Sequence, residues 1–188
     1  MERVDRARGD HVRLVPILEE YLRLAEVHED NPEGFFIDTG AWVGTLADSY
    51  LAVGRVDDAV RVISDATRRG HGEGAERLCE LAEKLMRSGH EPQARSLWQH
   101  ARTDFPDDVW VYVQAGIEYA DLGEHDTALV WLTPGTQLAL RTGDPEEALE
   151  QLVPVRLASL AATGAAPDDL QVRAERTLAG TTGEAGSE

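Results

Sequence analysis

Three glycines, Gly54, Gly89 and Gly123, fall 35 and 34 residues apart, and each stands between the same two sets of residues. Before Gly89 come Leu78, Leu81, Ala82 and Leu85; after it come Ala94, Trp98, Ala101 and Pro106. Upstream, Val43, Leu46, Ala47 and Tyr50 precede Gly54, with Ala59, Ile63 and Ala66 after it. Downstream, Tyr112, Ala115, Gly116 and Tyr119 precede Gly123, with Ala128, Leu132 and Gly135 after it. Apolar residues three and four apart on each side of a glycine predict two short helices joined by a tight turn. The small residues let the two backbones approach, and the large ones fill the space around them. One such hairpin is too small to bury its own apolar face. A repeat near 34 residues therefore predicts hairpins that stack and share a core.

The pattern resembles the tetratricopeptide repeat, and the resemblance covers residues 40–142. It implies an all-α chain, a right-handed α-solenoid of stacked antiparallel helix pairs. Repeats are expected at about 40–73, 75–107 and 108–142. A glycine after each first helix suits a left-handed residue at the helix C-terminus, where a side chain with a Cβ is strained.

Residues 1–10 are charged and read as loose, and residues 12–28 as an amphipathic capping helix carrying Leu14, Leu18, Tyr21, Leu22 and Ala25. In residues 29–39, Asn31-Pro32 has the form of a helix start, Gly34 and Gly40 oppose a continuous helix, and Phe35 and Phe36 are read as core plugs. RGHGEG at 69–74 is a glycine-rich break and not a phosphate loop, because no Gly-Lys-Ser/Thr follows it. Asp57 and Asp58 suit the first turn of one helix, Pro92 that of another, and Asp107 or Asp108 can cap a third. Pro134 falls inside the last helix of the third repeat and predicts a kink or a break at 133–135. From Gly143-Asp144-Pro145 a helix to about Ala162 is expected, with Leu149, Leu152, Val153, Leu157 and Leu160 inward and a second kink candidate at Pro154. Gly164 turns into a helix from Pro167 to Leu178, where Asp169 and Arg173 replace the expected alanine and aromatic. This pair, 143–179, reads as a degenerate fourth repeat that caps the stack; residues 180–188 read as a disordered tail. Residues 140–164 also resemble bacterial repeat proteins that carry a small zinc motif called SEC-C. That motif needs a Cys-x-Cys pair; this chain has one cysteine, so the motif is absent and no metal role carries over.

The chain has 35 acidic and 18 basic residues, a formal charge of −17 over 188 residues. Seventeen of the basic residues are arginine and only Lys84 is lysine, a bias whose simplest source is the coding of a GC-rich genome. So acidic a chain lacks the positive field that phosphate binding needs, which argues against a nucleic-acid partner. The acidity serves solubility, or attracts a basic partner. No run of 18 apolar residues is present, so no membrane span is expected. The opening MERVDRARGD lacks a secretory apolar region, and Cys79 cannot form an internal disulfide; a cytoplasmic location is expected.

In the resembled family the first helix of each pair lines a concave groove. Counted from the packing positions, the groove set is Asp48, Leu51 and Ala52, then Glu76, Cys79, Glu83, Met86 and Arg87, then Trp110, Val113, Ile117 and Asp121. Four carboxylates around an apolar patch at Trp110 suit a basic peptide or an amphipathic basic helix; each carboxylate taken singly is equally a solvated surface charge. Chaperone-binding repeats hold a C-terminal carboxylate with Lys, Asn and Arg. Here the groove helices have no Asn, and Asp48 and Glu83 stand at the Asn position, so that clamp is not expected. Trp98 belongs in the core, Trp42 and Trp131 at its margin, and Trp110 is the candidate anchor for a partner.

No pair of the six histidines has metal-ligand spacing, and His90 and His125, one and two residues past a turn glycine, read as surface features at the edges of neighbouring repeats. Glutamates around Cys79 would raise a thiol pKa, which does not favour a nucleophile. No catalytic residue, cofactor or metal is predicted. The expected function is a non-enzymatic protein–protein interaction adaptor. The alternatives are a structural or oligomerising module, with possible homo-oligomers, and a regulatory sensor arm of a larger complex.

Overall fold

The computed structural model describes residues 9–28, 39–70 and 74–184, and all of their regular structure is helical. The helices are α1 (His11–His28), α2 (Thr39–Ala52), α3 (Val56–Arg68), α4 (Glu76–Arg87), α5 (Glu91–Asp104), α6 (Val109–Asp121), α7 (His125–Thr142), α8 (Leu149–Ala162) and α9 (Asp169–Glu184). The expectations for residues 1–8, for Asn31-Pro32, Gly34, Phe35 and Phe36 within 29–38, for 71–73 and for 185–188 lie outside the described residues. The chain forms two compact units, Met1–Leu97 and Trp98–Glu188, with the division inside α5.

All three hairpin turns close in one way. Gly54, Gly89 and Gly123 have φ of 77°, 81° and 77°. The amide one residue further on bonds back to the last turn of the helix: Arg55 N–H to the Tyr50 carbonyl at 2.8 Å, His90 to Leu85 at 2.8 Å, Glu124 to Tyr119 at 2.9 Å. This is the left-handed C-terminal closure that the glycines predict. It recurs at Gly143 and Gly164, where Asp144 bonds to Ala139 and Ala165 to Leu160, each at 2.9 Å.

In the first unit α1 packs on α2, α2 on α3 and α3 on α4. Val43, Leu46, Ala47 and Tyr50 of α2 and Ala59, Ile63 and Ala66 of α3 are all buried, as their spacing predicts. Helix α1 buries Leu14, Val15 and Leu18 and sets Tyr21 against Trp42, with ring centroids 5.5 Å apart. Its Glu19 accepts a hydrogen bond from the Tyr50 hydroxyl at 2.7 Å and another from Arg55 at 3.2 Å.

In the second unit α6 packs on α7, α7 on α8, and α8 on α9; α6 and α8 also touch. Trp131 is 2% exposed and lies in the core rather than at its margin. Its ring meets those of Trp98, Tyr112 and Tyr119 at centroid distances of 6.4, 6.3 and 6.5 Å. Arg102 stands over Trp131 at 5.3 Å. The Tyr112 hydroxyl donates to the Pro106 carbonyl at 2.9 Å.

Helix α7 does not break at Pro134: it is one α-helix from His125 to Thr142. The interior prolines of α1, α7 and α8 share a placement that explains this. The residues four before Pro16, Pro134 and Pro154 are Val12, Val130 and Glu150, all exposed. Each carbonyl deprived of its helical partner thus lies on a solvent-facing side, where water can satisfy it.

The C-terminal pair departs from expectation in register. Helix α8 begins at Leu149, not at 143–145, because Asp144 and Glu147 take positive φ of 53° and 55°. The Asp144 carboxylate instead caps from a distance, accepting from the Ala148 amide at 2.8 Å and the Leu149 amide at 3.1 Å. Arg156 is buried, whereas Leu157 is 37% exposed. Helix α9 turns Gln171 and Ala174 inward and leaves Asp169 and Arg173 in solvent. Burying those two charges without partners would be expensive, so the helix rotates until a neutral amide and a methyl face the core. The same helix runs on to Glu184, past the expected end at Leu178.

Candidate functional site

Helix α2 shows why one side of each first helix stays open. Its buried stripe leaves Ala41, Gly44, Thr45 and Asp48 one above another on the side turned toward α4. Helix α4 answers with Arg77, Glu80, Leu81 and Lys84. Together with Ala47 and Ile63 they enclose a cleft of about 260 Å³. Its floor is apolar and its rim carries two cations and two carboxylates. Lys84 donates to Asp48 at 2.7 Å, joining one wall to the other. Arg77 donates to Glu80 at 3.0 Å along a single wall. The side chains of Asp48 and Lys84 are 55% and 51% exposed. A pair so wetted contributes about 0–1 kcal/mol, so a ligand can part it at little expense.

Gly44 forms part of the floor, and a Cβ added there would lie 3.7 Å from Arg77 Nη1, an ordinary contact. The glycine is therefore not required by packing; its effect is to keep the cleft deep.

The structure divides the sequence-derived groove set. Asp48, Ala52, Glu76, Arg87 and Asp121 are exposed, and Leu51, Glu83, Trp110 and Ile117 are half-buried. Cys79, Met86 and Val113, at 1%, 7% and 1% exposure, belong to the core and line no open surface. The reason is the width of the buried arc. The stripe expected on α4 spans about 100° of the helix, but its buried residues, Leu78 to Met86, span about 160°, and those of α6 about 220°. A helix covered on more than one side loses its flanking positions to the core. Glu83 is paired with Arg87, and Asp48 with Lys84, so the expected acidic face of the first unit is partly neutralised. Arg77, Glu80 and Lys84 were missed in that set. They stand one position away from Glu76, Cys79 and Glu83, a rotation that only the packing of α4 fixes.

In the second unit the open side of α6 carries Trp110, Gln114, Ile117 and Asp121. Asp108 starts that helix, its carboxylate accepting from the Trp110 amide at 3.0 Å. Among the expected surface histidines, His125 is held by the Ser159 hydroxyl at 3.3 Å. Among the described residues no group of three or more His, Cys, Asp and Glu could hold a metal ion. Among the same residues no helix is long and apolar enough to cross a membrane.

These helix pairs, with their shared glycine closures and small-residue seams, define a helical-repeat protein similar to the tetratricopeptide class. No protein-family profile matches the chain, and no curated protein does. Among solved structures it is similar to a thermophilic tetratricopeptide-repeat protein of Thermus thermophilus. The two are 24% identical, with 92% of this chain and 93% of that one covered and a TM-score of 0.35.

Proposed function

We propose that the chain is a non-enzymatic adaptor that holds a basic or amphipathic segment of a partner protein against the open faces of its first helices. Helical-repeat folds of this kind generally serve as protein-interaction scaffolds. The observation that carries the reading is the α2–α4 cleft. It offers room for one partner side chain above an apolar floor, with an ion pair across its mouth that separates cheaply. The chain's charge of −17 favours a cationic partner in diffusional encounter. Affinity capture with wild type and Gly44→Leu tests it. A protein retained by the first and lost from the second supports the reading; identical captures contradict it.

A second reading, self-association through the terminal helices, draws on exposed Val12 and Leu24 of α1 and on Leu157 and Val172 of the C-terminal pair. Light scattering over a dilution series separates the two: a constant monomer mass removes it.

A further inference from the structure

Helix α9 is attached by a polar clasp rather than by an apolar seam. Of its residues 169–180, Gln171 and Ala174 are buried, Leu170, Glu175 and Leu178 are half-buried, and the rest are exposed. One methyl is thus the only fully covered apolar group among these residues, whereas α7 buries Trp131, Leu132 and Leu138. The clasp centres on Arg156 of α8. Its guanidinium donates to both oxygens of Asp168 at 3.0 and 2.6 Å, to the Gln171 side-chain carbonyl at 3.1 Å and to the Thr133 hydroxyl of α7 at 3.4 Å. The Gln171 side-chain amide donates in turn to the Val153 carbonyl at 3.1 Å and to Glu175 at 2.9 Å. Asp168 also starts α9, accepting from the Gln171 backbone amide at 2.9 Å. One carboxylate therefore both caps the helix and docks it. The connection from α8, residues 163–168, is exposed throughout. Lifting α9 away would uncover little apolar surface, and the groups of the clasp would regain water. Helices α6, α7 and α8 would keep their contacts with one another.

We infer that α9 is a releasable cap over a helix-docking site on α8, and that the site takes in its place a partner helix with Asp at its N-cap, Gln three residues on and Ala three beyond. The site lies outside the α2–α4 cleft and selects the opposite charge. An arginine stays protonated, so a cationic or uncharged helix would cover the Arg156 guanidinium without a counter-charge. Helices α7 and α8 carry one carboxylate each, Asp126 and Glu150, both exposed and neither bonded to Arg156 among the described residues. The replacement helix must therefore bring its own. The α9 of a second copy brings the same residues, but the short tether holds the chain's own α9 at an effective concentration on the order of millimolar. A free copy at micromolar concentration does not compete with that. A partner displaces α9 by adding contacts of its own beyond the clasp, which the thin apolar side of α9 does not make.

Two measurements on the full chain test this. Hydrogen exchange of the wild type should show the amides of residues 173–178 opening as one, at least tenfold faster than those of residues 128–139 in α7. Protection equal to that of α7, or a gradient that frays from the C-terminus and leaves 173–174 as slow as α7, would overturn the inference. The second measurement uses a labelled, end-capped peptide of residues 167–180 and a chain carrying Asp168→Ala with Gln171→Ala, which loosens the cap and leaves Arg156 in place. Fluorescence anisotropy should show this chain binding the peptide at least ten times more tightly than wild type does. A peptide with Asp168→Asn and Gln171→Leu should lose that binding at least tenfold. Equal binding by the two chains, no binding by either, or equal binding of the altered peptide would each overturn the inference. Should the double variant fail to fold, the exchange measurement decides alone. Adding Gly44→Leu to the loosened chain should leave peptide binding within twofold; loss there would place the peptide in the α2–α4 cleft and overturn this site. A wild-type dimer in light scattering that disappears on Asp168→Ala with Gln171→Ala would overturn the partner helix in favour of a second copy.

Discussion

Gly135 of α7 lies so close to Tyr112 of α6 that a Cβ there would stand 2.7 Å from the Tyr112 Cβ and 3.3 Å from Leu152 Cδ2. The Tyr112 Cβ is the fixed root of a side chain that is itself held by a hydrogen bond to Pro106, so it cannot swing aside. Gly135→Ala should therefore destabilise the second unit by about 1–3 kcal/mol through overpacking. Chemical denaturation followed by tryptophan fluorescence would measure it. Gly44→Ala is the contrasting case. With 3.7 Å to the nearest atom, it should raise stability by about 0.5–1 kcal/mol through helix propensity.

Arg156 is 2% exposed and bound to Asp168 at 3.0 and 2.6 Å and to Gln171 at 3.1 Å. The carboxylate itself is half in solvent. The two partners are therefore unequal. Asp168→Asn leaves a buried cation without its counter-charge and should lose about 3 kcal/mol, whereas Arg156→Met leaves a hydrated carboxylate and should lose about 1 kcal/mol or less. The Arg156 guanidinium, by its hydrogen bonds, holds the Asp168 carboxyl below the usual carboxylate range. A depressed folded pKa contributes stability above the unfolded value of about 3.9, and that contribution disappears as the pH falls from there through the folded value. Acid titration of wild type and Asp168→Asn should show this loss only in the former.

Burial, then the hydrogen bond to Glu19, pushes the Tyr50 hydroxyl up to about 12. A raised folded pKa favours the protonated form, so this contribution is complete below the unfolded value of about 10 and is lost between there and about 12. Thermal melts at rising alkaline pH should show the first unit weakening over that window. Tyr50→Phe should remove that part of the dependence while losing about 1 kcal/mol at neutral pH for the missing hydrogen bond.

The hairpins were legible because glycine and alanine mark places where backbone conformation or close approach leaves no alternative. Gly54, Gly89 and Gly123 take the left-handed turns, and Ala59, Ala82, Ala94 and Ala115 are buried where the spacing puts them. The surface register was less legible. Cys79, Met86 and Val113 look like flank positions on a helical wheel, yet the width of the buried arc is set by how many neighbours a helix has, which no local pattern records. The C-terminal pair misled for a related reason. Leu157 reads as core and nothing in the local pattern marks Arg156 for burial, but a buried arginine becomes tolerable once Asp168, just before the next helix, and Gln171, within it, converge on its guanidinium.

The most direct test of the central claim is a selection of displayed 12-residue peptides on the immobilised chain, followed by affinities of the enriched sequences for wild type and Gly44→Leu. The account predicts sequences combining large apolar residues with Lys or Arg, among them a group that binds wild type at least ten times more tightly than the filled-cleft variant. No enrichment, or affinities equal for the two proteins throughout, would contradict it.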